Sequence, residues 1–265
     1  MQVGFIGAGN MGGALAKAVS KVIGPVSVAV SDADAIKAVT LARDIGCAVA
    51  SNLELVATCD YVFLGVKPQV LPTVLAEIGT AAQENEHLTL ICMAAGVPLG
   101  TVTAAVGKVG VIRIMPNLPV SVGEGMILYT MSETVRADAH ADFLHMLSTA
   151  GKLDELKEAD FDAASAVSGC GPAFVGMFAD ALAQGGAACG ISREKALQYA
   201  LQTIIGTVAL LEKTGIEPSA LVKAVCSPAG STIEGVHVLE NEGFTDICKA
   251  AVDASYKRTK ELGRN

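Results

Sequence analysis

Aromatic side chains, charges and histidines are all scarce in this sequence. The 265 residues include no tryptophan, 4% are aromatic, 17% are charged and only four are histidines. The histidines do not cluster with the seven cysteines, so we expect no metal site. The cysteines are odd in number, scattered and without a C-x-x-C pair, which is typical of reduced thiols in the cytoplasm.

The charge balance excludes a further class of partner. Nineteen Lys and Arg residues stand against 27 Asp and Glu residues, so the formal net charge is −8 at pH 7. A nucleic-acid-binding surface needs an excess of positive charge, and we therefore expect no nucleic-acid partner. The N-terminal segment lacks a basic region and a cleavage site, so we predict no signal peptide and a cytoplasmic location.

Long uninterrupted hydrophobic runs are also absent, although 51% of the residues are hydrophobic. The uncharged stretch 88–107 is broken by Gly96, Pro98 and Gly100, and the stretch 196–211 is too short for a membrane span. We therefore expect no membrane partner. The composition instead favours tightly packed helices rich in Ala and Gly, some of them in a subunit interface.

The most informative segment that is present is G-F-I-G-A-G-N-M-G at residues 4–12. It places a G-x-G-x-x-G pattern directly after an apolar strand and before a helical pattern. Gly7 permits the tight turn, Gly9 lets a pyrophosphate approach the backbone, and Gly12 lets helix and strand pack closely. An apolar strand at 26–30 follows at βαβ spacing. The free N–H groups at the helix start favour phosphate, so this segment predicts a dinucleotide-binding loop.

Strand and helix patterns alternate as far as about residue 155 and then give way to helices alone. Besides the first two, strands are predicted at residues 60–66, 88–93, 109–115, 122–129 and 151–156. This order predicts an α/β domain with a Rossmann-type doubly wound sheet at 1–157, followed by an all-α domain at 158–265. The apolar helices of the second domain are too many for it to cover alone, so we predict a dimerisation domain.

Small and polar residues follow several predicted strands, at the edge where open α/β sheets bind ligands. Asp32 is placed to pair with a ribose 2′-hydroxyl and Ser31 to bond a 2′-phosphate, although Asp32 also suits a helix N-cap. Lys67 is placed to meet the cofactor. The small residues 94–96 let a nicotinamide ribose approach, and Asn117 could form a hydrogen bond near the nicotinamide.

A further polar segment, C-S-P-A-G-S-T at residues 226–232, precedes a helix in the second domain. It offers hydroxyl groups, a flexible glycine and free N–H groups at a helix start. These features suit a small carboxylate, and an N-capped helix without a ligand is the alternative interpretation.

Together these segments resemble the pyrroline-5-carboxylate reductase family. The matching motifs also include V-K-P at 66–68, A-A-G at 94–96, M-P-N at 115–117 and S-G-C-G-P-A-F at 168–174. The resemblance implies NADPH- or NADH-dependent reduction of 1-pyrroline-5-carboxylate to L-proline by a homodimer or a higher homo-oligomer. The sequence departs from the family where Cys170 replaces a usual serine and Ala229 replaces the first glycine of a usual pair.

The resemblance also implies roles for individual residues. Glu158 would contact the amine side of the product, with a solvated linker acid as the alternative interpretation. The substrate carboxylate and ring nitrogen would be held by Ser227, Gly230, Ser231 and Thr232, and Thr232 is the catalytic candidate. The dinucleotide would be lined by Ile6, Gly7, Ala8, Gly9, Asn10, Met11, Ser31, Asp32, Asn52, Val66, Lys67 and Ala95.

Two other functions share the glycine-rich start. A 3-hydroxyacid dehydrogenase-like oxidoreductase is the alternative enzyme, but such enzymes use a lysine on an interdomain helix. The helix predicted to begin at residue 172 has none before Lys195. A dinucleotide-sensing regulator would need a basic nucleic-acid-binding element, which the sequence lacks.

Overall fold

A computed structural model describes residues 1–262, which form two compact units. The first unit comprises Met1–Cys170 together with the segment from Ser255 onward, and the second comprises Gly171–Ala254. The domain boundary expected from the sequence, between residues 157 and 158, lies earlier in the chain, at the start of a 3-10 turn, Glu158–Asp160. That boundary stays a prediction.

The first unit contains an eight-stranded sheet in the order β3-β2-β1-β4-β5-β6-β7-β8. Every neighbouring pair is parallel except β6 and β7, which are antiparallel. The strands are β1 Val3–Ile6, β2 Val28–Ser31, β3 Ala48–Val49, β4 Tyr61–Leu64, β5 Thr89–Cys92, β6 Gly110–Pro116, β7 Gly125–Met131 and β8 Gly151–Glu155. The predicted Rossmann-type doubly wound sheet is confirmed.

Helices connect these strands and cover the sheet. They are α1 Asn10–Ile23, α2 Ala35–Ile45, α3 Asn52–Thr58, α4 Leu71–Glu84, α5 Leu99–Val106, α6 Ala137–Met146 and α7 Phe161–Ser168. Strands β1, β4 and β5 are buried along their whole length, as expected for parallel strands covered on both faces. The rings of Phe5 and Phe63 stack at 4.4 Å between centroids on one of these faces.

The predicted strand at 122–129 begins too early. Residues Leu118–Val122 instead form a 3-10 turn, and Gly123 ends it in the left-handed region with φ of 81°. Proline at the start of the turn and glycine after it favour a turn over a strand. Strand β7 therefore begins only at Gly125.

The last five helices of the described chain are α8 Gly171–Ala188, α9 Arg193–Thr214, α10 Pro218–Val225, α11 Ser231–Asn241 and α12 Phe244–Leu262. Within residues 171–254 only four residues are buried, all of them alanines on α8 and α9. Large apolar side chains such as Met177, Ile205 and Ile247 are more than 60% exposed. This unit cannot bury an apolar core by itself and needs a partner surface.

One stretch, residues 158–188, is long and apolar enough to cross a membrane when judged by length and composition alone, with a mean hydropathy of 1.3. The two uncharged stretches considered from the sequence, 88–107 and 196–211, do not include it. Its apolar side chains are mostly exposed within this chain. A second copy of the chain is the covering partner that the sequence predicts.

We expect substitution of Ile205 by Asp to dissociate the assembly, because a carboxylate in an apolar subunit interface loses its hydration. Obligate interfaces bury more than about 2,000 Å² and are largely apolar. Val26→Asp, at an 87% exposed apolar position in the first unit, is the matched control and should leave the assembly intact. Analytical ultracentrifugation at micromolar concentration measures the assembly of both variants. A wild-type protein that is monomeric and active at this concentration would contradict the predicted dimer.

Candidate functional site

The loop that joins β1 to α1 takes a shape that only glycine permits at two positions. Gly7 has φ of 110°, and its N–H donates to the Ser31 carbonyl at 2.8 Å. A Cβ atom at Gly12 would collide with the Gly7 carbonyl oxygen, whereas one at Gly9 would meet nothing within 4 Å. The loop is thus closed on its inner side and open at Gly9, where a ligand can approach.

Helix α1 begins directly at this open side. In the described part of the chain no side chain caps its N-terminus, and its first turn contains no acidic residue. Fourteen residues of aligned peptide dipoles therefore direct partial positive charge toward the loop. This cradle fits the pyrophosphate of a dinucleotide, which residues Ile6 to Met11 would surround.

Asp32 fastens the glycine-rich loop to the end of β2. Its Oδ2 accepts a hydrogen bond from the Ala8 N–H at 2.7 Å, and its Oδ1 accepts one from the Asp34 N–H at 2.9 Å. The N-cap of α2 is Asp34, whose carboxylate accepts the Ile36 N–H, so the alternative interpretation of Asp32 as that cap is wrong. Asp32 thus holds the glycine-rich loop, a role that the sequence did not predict, and its pairing with a ribose 2′-hydroxyl stays a prediction.

A chain of side-chain hydrogen bonds leads away from the same strand end. The Ser31 hydroxyl donates to Asn52 Oδ1 at 2.7 Å, and Asn52 Nδ2 donates to Glu77 Oε2 at 2.9 Å. Ser31 is buried, Asn52 is half-buried at the start of α3, and Glu77 is exposed on α4. Glu77 was not among the predicted site residues, since no local pattern marks it.

The remaining predicted cofactor residues follow neighbouring strands. Val66 and Lys67 lie just beyond β4, with Lys67 exposed, and Ala95 lies just beyond β5, half-buried. Because the strands from β3 to β6 are all parallel, their carboxyl ends meet at one edge with the glycine-rich loop. The fold therefore places the predicted cofactor residues along a single edge.

Asn117 makes internal contacts at this edge. It is buried, its Nδ2 donates to the Ser168 carbonyl at 3.0 Å, and its Oδ1 accepts the Met126 N–H at 2.8 Å. The amide therefore connects the start of β7 with the end of α7. A contact with the cofactor stays a prediction and would have to use the amide's second N–H.

Glu158 contacts the buried Arg113 in a partly exposed ionic cluster. Its own side chain is 39% exposed, but its contacts with Arg113 and Leu99 argue against a simple solvated linker acid. The Arg113 guanidinium is 6% exposed and donates to Glu158 Oε1 at 2.6 Å and to Asp162 Oδ1 at 3.1 Å. It also lies over the Phe161 ring, 4.1 Å from the centroid. Glu158 Oε1 accepts the Leu99 N–H at 3.0 Å as well, at the start of α5.

The second oxygen of the Glu158 carboxylate is free to accept a hydrogen bond. Glu158 Oε2 is buried and has no hydrogen-bond partner within residues 1–262. The nearby Cys92 thiol is a poor nucleophile. Burial raises its pKa, and Arg113 opposes that effect only in part. Arg113 Nε is likewise buried and without a partner among the described residues, so the cluster offers a free N–H donor as well as the free acceptor Glu158 Oε2.

The segment at 226–232 forms a tight turn that leads into α11. The Gly230 N–H donates to the Ser227 carbonyl at 3.0 Å, and a Cβ at Gly230 would collide with Ser227 Oγ. Among residues 1–262 no side chain caps the start of α11 at Ser231, and the hydroxyls of Ser227, Ser231 and Thr232 belong to exposed residues. Uncapped N–H groups beside hydroxyls are suited to a carboxylate.

Ala229 at the tip of this turn adopts φ of 57°, the only positive φ of a non-glycine residue within residues 1–262. It follows Pro228 and occupies the third position of the turn, where glycine is favoured. The family resemblance noted a glycine here. The methyl group of Ala229 therefore adds local backbone strain.

The fold and the cofactor cradle define an NAD(P)-dependent oxidoreductase. Two family models match the chain: "Pyrroline-5-carboxylate reductase dimerisation" over residues 158–262 and "NADP oxidoreductase coenzyme F420-dependent" over residues 2–96. Pyrroline-5-carboxylate reductase 3 of Macaca fascicularis is 36% identical, with 99% of this chain and 96% of the relative covered. The Synechocystis sp. reductase is 37% identical, with 100% and 99% covered.

Solved structures agree with these relatives. The Plasmodium falciparum pyrroline carboxylate reductase with NADP bound is 30% identical, with a TM-score of 0.89 and 99% and 98% of the two chains covered. This chain belongs to the pyrroline-5-carboxylate reductase family and is an NAD(P)H-dependent oxidoreductase. The Mycobacterium tuberculosis 3-hydroxyisobutyrate dehydrogenase, at 16% identity and a TM-score of 0.52, shares the fold alone, so the alternative enzyme is not favoured.

We expect Ala229→Gly to stabilise the protein by about 0.5–1 kcal/mol, because glycine adopts positive φ without the Cβ penalty. Denaturant unfolding at a fixed protomer concentration measures the change. Ala181→Gly, at an exposed position inside α8, is the matched control and should destabilise by about 1 kcal/mol. Destabilisation by Ala229→Gly as well would refute the strain at the turn.

Proposed function

We propose that this chain reduces 1-pyrroline-5-carboxylate to L-proline with NADPH or NADH, the last step of proline synthesis. The observation that carries the proposal is the exposed, uncapped turn at 227–232. It combines hydroxyls with helix N–H groups in a chain whose entire length matches the family. The thiol groups need no role, since hydride reduction of a C=N bond requires no covalent intermediate.

The reduced nicotinamide, when bound, supplies a hydride to the C=N carbon. The ring is reduced most easily as the iminium cation, which brings its own proton, so the site needs few catalytic groups. Orientation is the main task of the protein. Ser227, Gly230, Ser231 and the first N–H groups of α11 hold the carboxylate, and the Thr232 hydroxyl forms a hydrogen bond at the ring nitrogen.

We retain Glu158 as a contact to the amine side of the product. Its Oε1 is already occupied by Arg113 and Leu99, whereas its Oε2 is buried and unpartnered. A buried acceptor without a partner costs about 1–3 kcal/mol, and a protonated ring nitrogen would remove that cost. The hydrogen bonds from Arg113 and Leu99 to Oε1 leave Oε2 as the acceptor that remains.

Several finer features belong to the same proposal. The enzyme is a homodimer or a higher homo-oligomer in the cytoplasm, without a nucleic-acid or membrane partner. Residues 1–157 form the dinucleotide-binding domain and residues 158–265 the helical dimerisation and substrate domain. The predicted cofactor residues from Ile6 to Asn117 line the dinucleotide, and both NADPH and NADH are used.

The decisive experiment follows nicotinamide absorbance with purified protein. We expect oxidation of NADPH and of NADH when 1-pyrroline-5-carboxylate is present, with L-proline as the product identified by chromatography. Parallel reactions contain 3-hydroxy acids with NADP⁺ or NAD⁺ and should show no reduction. Turnover of the 3-hydroxy acids together with inert pyrroline-5-carboxylate would overturn the proposal.

Thr232→Ala should lower kcat by about ten- to hundredfold. Its hydrogen bond strengthens as the planar imine becomes a tetrahedral amine, and one such bond is worth about 1–3 kcal/mol. Ser227→Ala, at the carboxylate, should mainly raise KM for the substrate. Steady-state kinetics and NADPH titrations measure these effects. Thr232→Ser is the matched control, and an unchanged kcat in Thr232→Ala would refute the catalytic assignment.

A further inference from the structure

We propose that Glu77 is a positioning residue for cofactor choice: it sets the direction of the hydrogen-bond chain Ser31–Asn52–Glu77 and thereby favours a ribose 2′-hydroxyl over a 2′-phosphate. The inference rests on the proposed function, in which Ser31 and Asn52 line the dinucleotide. Glu77 is more distant along the sequence and touches Asn52 rather than any reacting group.

The direction of the chain follows from the chemistry of its outer end. A carboxylate only accepts hydrogen bonds, so the Asn52 group that lies 2.9 Å from Glu77 Oε2 must be the amide NH₂. The amide oxygen then points to Ser31, 2.7 Å from its hydroxyl. That oxygen only accepts, so Ser31 must donate its single proton to Asn52.

The consequence reaches the cofactor through Ser31. With its proton committed to Asn52, the Ser31 oxygen has only lone pairs left. A 2′-hydroxyl can donate to those lone pairs, whereas a 2′-phosphate has acceptor oxygens and gains no hydrogen bond there. The neighbouring Asp32 carboxylate adds no donor, since both of its oxygens accept backbone N–H groups.

Glu77→Gln permits the reverse direction without changing the side-chain shape. The glutamine NH₂ can donate to Asn52 Oδ1, the Asn52 NH₂ can then donate to Ser31, and the Ser31 proton becomes free for a phosphate oxygen. The same substitution removes one negative charge. Both changes favour the 2′-phosphate, and a double substitution separates them.

Calorimetric titration of the full-length protein with NADP⁺ and with NAD⁺ tests the inference without any substrate. We expect Glu77→Gln to raise the ratio of NADP⁺ to NAD⁺ affinity about five- to tenfold. Glu84→Gln removes a charge from the end of the same helix and should leave the ratio unchanged. If Glu77→Gln lowered the affinity for both nucleotides and left their ratio unchanged, Glu77 would only stabilise the structure, and the inference would be overturned.

The Ser31→Ala background distinguishes direction from charge. If the direction of the hydrogen-bond chain carries the effect, Glu77→Gln changes the ratio of NADP⁺ to NAD⁺ affinity by less than twofold when the Ser31 hydroxyl is absent. A full effect in that background would overturn the assignment to the hydrogen-bond chain. The kcat/KM ratio for NADPH and NADH should follow the affinity ratio. If pyrroline-5-carboxylate were not reduced while the nucleotide ratios behaved as expected, the proposed function alone would fail.

Discussion

The hydrogen bond from the Ala8 N–H to the Asp32 carboxylate is the contact on which the cofactor edge depends. Together with the bond from the Gly7 N–H to the Ser31 carbonyl, it attaches the glycine-rich loop to the end of β2. The two residues proposed to meet the ribose therefore also shape the loop proposed to receive the pyrophosphate. Under the proposed roles, cofactor choice and loop geometry are coupled, so a substitution of Asp32 changes both. Glu77 lies outside the loop, and a substitution there changes cofactor choice alone.

A second constraint is the buried Arg113. One guanidinium joins the middle of β6 to Glu158 and Asp162, and through Glu158 it reaches the first N–H group of α5. Such a cation is costly to bury, so the two partly exposed carboxylates that pair with it help to stabilise the fold. The cluster carries one more carboxylate than cation. Its excess negative charge suits a cationic ring, as the proposed role of Glu158 requires.

The sequence reveals the fold class because strand, glycine loop and helix follow one another without interruption at residues 3–19. It does not reveal β3, which has two residues, or α3, which has seven. The capping box of Ser51 and Glu54 was a visible sign of α3. The contacts of Asn52 with Glu77 and of Arg113 with Glu158 join distant segments, so no local pattern could indicate them. Likewise, the internal hydrogen bonds of Asn117 depend on the antiparallel return of β7, which apolar runs do not specify.

The end of α12 has a consequence for how the protein is made. Residues from Ser255 onward belong to the first compact unit, although the whole second unit lies between them and Cys170. With α4 and α5, Arg258 and Leu262 line a mainly apolar cavity of about 700 Å³. The first unit is therefore still incomplete when its own sheet has left the ribosome. Its final packing must wait until the helical unit has been synthesised, so this chain departs from the simple order in which an N-terminal domain finishes folding first.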